Sequence, residues 1–233
     1  MHDALQPLRA SKLTEKFVQQ FEQLILSGKV AIGERLPSER ELAKRLSVSR
    51  PVVHEGLVEL AVRGLVTIKP RIGTIVNDYR REGSLSLLSS LLRFQGEDFD
   101  SSLLVALLDA RRFLGRASVD LAARRRSPDE LEALRKVVEA EVEAKGVDEV
   151  VALDFAFHHE LALASGNPVF AMLIKSFEPA SRALAGRFYA DLELWAYVRP
   201  VHARIYEAVA AGDADKAVEL LTILLDHGRS ALL

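Results

Sequence analysis

Asp154 and His158 stand four residues apart in a segment of helical spacing, so both side chains can turn toward one ion. A carboxylate oxygen with an imidazole nitrogen suits zinc, nickel or manganese, and leaves coordination positions open for a ligand carboxylate. The same pair serves equally as a hydrogen-bonded couple inside a core. A second group of residues could address a polyanion. Arg50 and His54 are also four apart and share one side of a short helix near its start, and Arg40 opens the helix before it. Lys69 and Arg71 flank a turn whose Gly73 permits close approach to a groove or a phosphate. A solvated helix start accounts for such arginines just as readily.

Motifs of catalysis are missing. His159-Glu160-Leu161-Ala162-Leu163 starts like a zinc-peptidase helix but has leucine where the second histidine belongs. There is no Gly-x-Ser-x-Gly elbow, no phosphate-binding loop and no dinucleotide fingerprint, so the chain is not expected to be an enzyme.

The elements that must position these residues can be read from the spacing. Apolar residues at 13, 17, 21, 24 and 25 predict a helix that stops at Ser27-Gly28. Ser38-Glu39-Arg40-Glu41 is a capping box opening a helix through Leu46. Ser49 can cap the next helix, which runs to about Arg63 with Val53, Leu57 and Leu60 on its inner side, and it stands among the candidate DNA contacts. Residues 65–68 and 74–76 predict a hairpin. Three helices and a hairpin are the parts of a winged helix-turn-helix, here residues 1–77. Residues 78–84 (DYRREGS) read as a polar linker, and residues 85–233 as an all-helical bundle with spans 85–94, 99–126, 128–144, 147–165, 168–188, 191–211 and 213–230. The predicted class is therefore mainly α.

Composition limits the alternatives. Hydrophobic residues make up 49% and charged residues 27% of the 233, the balance of a soluble protein with a real core. Without cysteine there is no disulfide framework and no thiolate-bound zinc, which points to a reducing cytoplasm. The first residues lack an apolar signal core, and stretches such as 85–92 are too short to span a bilayer, so no membrane is expected as a partner. The net charge of −2 hides an asymmetry. Residues 1–80 carry 13 Lys/Arg against 9 Asp/Glu, a balance of +4, and the remainder carries 18 against 24, a balance of −6. A basic N-terminal segment suits contact with nucleic acid.

Leu36-Pro37-Ser38-Glu39-Arg40-Glu41-Leu42-Ala43, followed by Val48-Ser49-Arg50, closely resembles the GntR family of bacterial regulators, as do Arg63-Gly64-Leu65-Val66 and Gly73-Thr74-Ile75-Val76 in the wing. The resemblance covers about residues 12–77. It implies operator contacts from Arg40, Arg50 and His54. Where the family usually has arginine this chain has His54, which lacks the bidentate fork for guanine, and where the family has alanine it has Gly56.

Residues 85–230 resemble the FCD ligand-binding domain of the FadR subgroup. The motifs are Ala110-Arg111-Arg112-Phe113-Leu114, Asp154-Phe155-Ala156-Phe157-His158, Ala164-Ser165-Gly166-Asn167-Pro168 and Val201-His202-Ala203-Arg204 through Gly212-Asp213. The resemblance implies an organic-acid effector and, in many members, a divalent metal held by an Asp, a His one turn later and two further His. His202 matches the third ligand. The fourth position falls on Leu224, with His227 one turn further along as the alternative. Arg111 is the expected carboxylate clamp, or else an ion-pairing residue, and Gly115 replaces the family's glutamate, which suggests a widened pocket. A metal-free pocket for a fatty-acyl effector fits the same departures. Because one recognition helix reads few base pairs, a homodimer on a palindromic operator is expected, joined through the early helices of the bundle.

Overall fold

The computed structural model describes residues 11–84, 87 and 101–233, which fall into two compact units divided between residues 97 and 98. The predicted helix at 85–94 lies outside the described residues, apart from the position of Leu87.

In the first unit, α1 (Ser11–Leu26) buries Phe17, Val18, Phe21 and Ile25, whereas Leu13 at its start is exposed. Helix α2 (Glu39–Leu46) begins with the expected capping box, Ser38 accepting from the Glu41 amide while the Glu41 carboxylate accepts from the Ser38 amide. It ends at Ser47, in the left-handed conformation, which turns the chain into α3 (Arg50–Val62). Ser49 occupies the N-cap of α3, but its hydroxyl makes no capping bond, contrary to expectation. Val53, Gly56, Leu57 and Leu60 face inward and pack with α1. Strands β1 (Val66–Lys69) and β2 (Gly73–Val76) pair antiparallel in the register Val66↔Val76 to Lys69↔Gly73, and Arg35 adds a bridge to Ile75.

Residues 78–84 were expected as a plain linker. Instead Asp78 caps a short helix, α4 (Tyr79–Glu82), and the Ser84 amide donates to the Arg63 carbonyl. Tyr79 packs on the core of this unit, and Gly64 (φ +80°) leaves room for the Glu82 carbonyl. A polar composition fails to separate a linker from a capped turn, because capping also selects Asp, Ser and Gly.

The second unit holds α5 (Ser101–Arg125), α6 (Pro128–Glu143), α7 (Val147–Ala164), α8 (Pro168–Ser176), α9 (Glu178–Phe188), α10 (Glu193–Ala211) and α11 (Ala214–Leu232). Spacing had merged α8 and α9 into one helix. The break falls at Phe177, because Pro179 has no amide proton for the Lys175 carbonyl and its ring crowds that group. Helix α7 packs against α5, α6, α8 and α9 and buries a broad face that carries Asp154 into the interior, while Asp148, Glu149 and Leu163 stay exposed. Among the described residues no helix is long and apolar enough to cross a membrane.

Gly56 shows how tightly the first unit is packed. A Cβ there would overlap the Phe17 ring, which is itself buried and stacked on Phe21 at 4.5 Å between centroids. Alanine normally gains about 1 kcal/mol over glycine inside a helix. Here the overlap reverses the sign, and Gly56→Ala should cost about 1–3 kcal/mol in denaturant unfolding. Pairing it with Phe17→Leu should recover part of that loss.

Candidate functional site

Asp154 is 4% exposed, and each of its carboxylate oxygens accepts one hydrogen bond. Tyr189, just beyond α9, donates its hydroxyl to Oδ1 at 2.7 Å. Arg111, on α5, donates Nη2 to Oδ2 at 3.2 Å. The same Nη2 lies 2.9 Å from Nε2 of His158. A guanidinium only donates, so His158 Nε2 accepts and the ring proton sits on Nδ1. Burial alone would raise the Asp154 carboxyl, but the Arg111 charge, with the Tyr189 bond, holds it below its ordinary range. Burial and the neighbouring Arg111 charge pull His158 down to about 3. Burial, then the Asp154 charge, pushes the Tyr189 hydroxyl up.

His202, on α10, is fully buried and stacks on Phe157 at 3.8 Å between centroids. Its Nδ1 lies 2.8 Å from Oε1 of Glu141, which is also fully buried on α6, and whose carboxyl burial raises against the pull of His202. With its proton held by Glu141, His202 presents a bare Nε2, and that atom is buried with no hydrogen-bond partner. One donor atom from each of Asp154, His158 and His202 lies within 4.8 Å of the other two. The three predicted ligands are thus brought together. An aspartate and two neutral imidazoles, one with an unused lone pair, are a donor set that fits zinc, nickel or manganese with positions left open.

His227 is not brought to this group. It sits beside Tyr197 and Phe188, with ring centroids at 4.5 and 6.2 Å. Leu224 holds the fourth position and lines the cavity on that side with Arg111, Asp154, His158 and Leu225. A second cavity, of about 50 Å³, shares Arg111, Asp154, His158 and Leu184 with the first and is lined further by Leu107, Phe155, Ile174 and Phe177. Gly115 reaches its wall, but a Cβ there would already meet Leu225 at 3.3 Å. The widening expected from Gly115 is therefore limited by α11.

Sequence reasoning missed Glu141 and Tyr189. Glu141 continues the stripe Leu134, Val137 and Val138 on α6. A carboxylate in an apolar register was the signal available.

In the first unit Arg40, Ser49, Arg50 and His54 are exposed at the starts of α2 and α3, and Lys69 and Arg71 are exposed on the wing. Glu39, also missed, sits among them: His54 Nδ1 lies 2.8 Å from its Oε1, and Arg50 Nη2 lies 4.0 Å from its Oε2. The Ile72 amide donates to the Lys69 carbonyl across Pro70-Arg71, and Arg71 has φ +63°. This is a turn of the type that places proline second and favours glycine third, with arginine in glycine's place. Gly73 does permit a close approach, but the neighbour is the Arg35 guanidinium, whose Nε would stand 2.9 Å from an added Cβ.

The chain matches the gntR family of bacterial regulatory proteins over residues 13–76 and the FCD domain over residues 106–227. The HTH-type transcriptional regulator Mce2R of Mycobacterium tuberculosis is 31% identical over 232 residues, covering 99% of this chain and 95% of its own. A fatty acid metabolism regulator protein of Shewanella sp. strain ANA-3 is 32% identical over 186 residues, 74% of this chain and 75% of its own. A solved structure of Lar, which controls expression of the Listeria monocytogenes agr system, aligns at TM-score 0.66 over 97% of this chain and 98% of its own, with 17% identity, a likeness of fold alone.

The Glu141–His202 pair can be tested by stability. Glu141→Ala leaves a buried ring N–H without an acceptor and should cost about 1–3 kcal/mol. Glu141→Gln keeps an acceptor and should cost less in the same denaturant titration.

Proposed function

The chain belongs to the gntR family of bacterial regulatory proteins and carries an FCD domain, and from this we propose that it is a cytoplasmic, effector-responsive DNA-binding regulator that acts as a homodimer on a palindromic operator. Arg40, Arg50 and His54 meet base edges in the major groove, and Lys69 and Arg71 meet the phosphates or the minor groove. Two copies supply the length of sequence that one reader helix cannot. The effector is a small carboxylate that enters the helical unit and binds beside Arg111. The observation that carries this reading is the cluster of Arg111, Asp154 and His158 in the walls of two largely apolar cavities.

Asp154, His158 and His202 would hold a divalent metal, which when bound supplies a Lewis-acidic centre with open positions for the carboxylate. Glu141 fixes the tautomer of His202, and Tyr189 orients Asp154. Arg111 supplies the fixed positive charge. A hundredfold change in operator affinity needs only about 2.7 kcal/mol of coupling, and operator DNA must weaken or strengthen the effector by the same factor. The apolar lining of the second cavity favours one alternative, a fatty-acyl effector with no metal.

Four measurements test the proposal. Arg50→Ala should weaken binding to an operator selected from genomic DNA by roughly 1–3 kcal/mol, and equal binding by variant and parent would remove Arg50 from the interface. Arg71→Gly should stabilise the wing by about 1 kcal/mol through relief of the left-handed arginine, while weakening DNA binding. Sedimentation of the full chain should give a dimer. Titration of the operator complex with short dicarboxylates and with acyl thioesters should identify which class changes DNA affinity, and no response from either class would refute effector control.

A further inference from the structure

Two of the three lone pairs in the candidate metal group are already in use. Asp154 Oδ2 and His158 Nε2 both accept from the same nitrogen of Arg111, whose side chain is only a quarter exposed. These are the atoms a divalent ion would draw on, so the guanidinium and the ion are competitors for them. His202 Nε2, the third donor, has no partner, because the guanidinium does not serve it. Among the described residues no fourth donor joins the group, and Leu224 lines the cavity beside it. With so few donors, the internal cation weighs heavily against the external one.

We infer that Arg111 is a resident stand-in for the metal ion, and that loading the site frees its guanidinium to become the effector's carboxylate clamp. The inference rests on the reading of this pocket as a metal-assisted effector site and adds an order of events to it. Arg111 lines both cavities, so a guanidinium released from Asp154 and His158 remains in a wall that a ligand would face. Asp154 stays compensated throughout: one cation leaves as another arrives, and the buried carboxylate is never left bare. The acid is then bound tightly only by the loaded protein, since before loading its anchor is engaged.

Zinc titration of the full chain, by calorimetry, tests this. Arg111→Gln should bind zinc about tenfold more tightly than the parent, a difference of about 1.4 kcal/mol. Tyr189→Phe also removes a hydrogen bond from Asp154 but no charge, and should not tighten zinc. His158→Ala should abolish uptake in either background. In the parent, the 15N signals of the Arg111 guanidinium should lose the slowed rotation imposed by Asp154 and His158 as zinc is added, a readout that does not depend on the Gln variant folding. Equal zinc affinity in parent and Arg111→Gln, or a guanidinium signal unmoved by bound zinc, overturns the stand-in role and leaves the metal site intact. Tightening by Tyr189→Phe as large as that by Arg111→Gln overturns it as well. Absence of zinc binding in every form overturns both this inference and the metal reading beneath it.

Discussion

A carboxylate buried on the central helix of the FCD domain is the constraint on which the effector half of this protein depends. Asp154 lies on α7, which four other helices surround, and it keeps its charge well away from water. Leaving such a charge without compensation costs several kcal/mol. Its partners come from separate elements, Arg111 from α5 and Tyr189 from the turn after α9, so satisfying the charge also ties those elements to the central helix. The polar cluster is at once the proposed ligand site and a set of cross-braces. Substitutions made to probe one role will disturb the other, so each must be read beside a measurement of stability.

The parts of this arrangement that sequence exposes are those with short-range geometry. Asp154 and His158 are one helical turn apart, and any helix brings them together. The capping boxes at Ser38 and Ser127 likewise depend on three-residue spacing, and both are present. Glu141 and Tyr189 are 61 and 35 residues from the partners they bind, and no local period links them. The fate of His227 was set by its own helix. Ala217, Leu220, Leu221 and Leu224 form the buried stripe of α11, and His227 follows Leu224 about one turn further along the same face, where it meets Tyr197 and Phe188 instead of the site.

The reader half shows the same division. The three helices and the hairpin were legible because each has its own start and stop signals. Glu39 escaped notice because the capping box already explains an acidic residue there. Arg71 was noticed for its charge, whereas its left-handed backbone became visible only in the turn. Strain of that kind persists where the surrounding turn holds it in place.

Both halves keep the groups proposed to meet ligands engaged with internal partners. Glu39 accepts from the histidine of the reader helix, as Asp154 and His158 accept from Arg111. In the proposed DNA contact, with Nδ1 of His54 engaged by Glu39, Nε2 is the ring nitrogen left for a base edge. Affinity at either site is a difference between an external contact and the internal one it replaces. Weak internal partners can therefore set selectivity as firmly as the contacts made with the ligand itself.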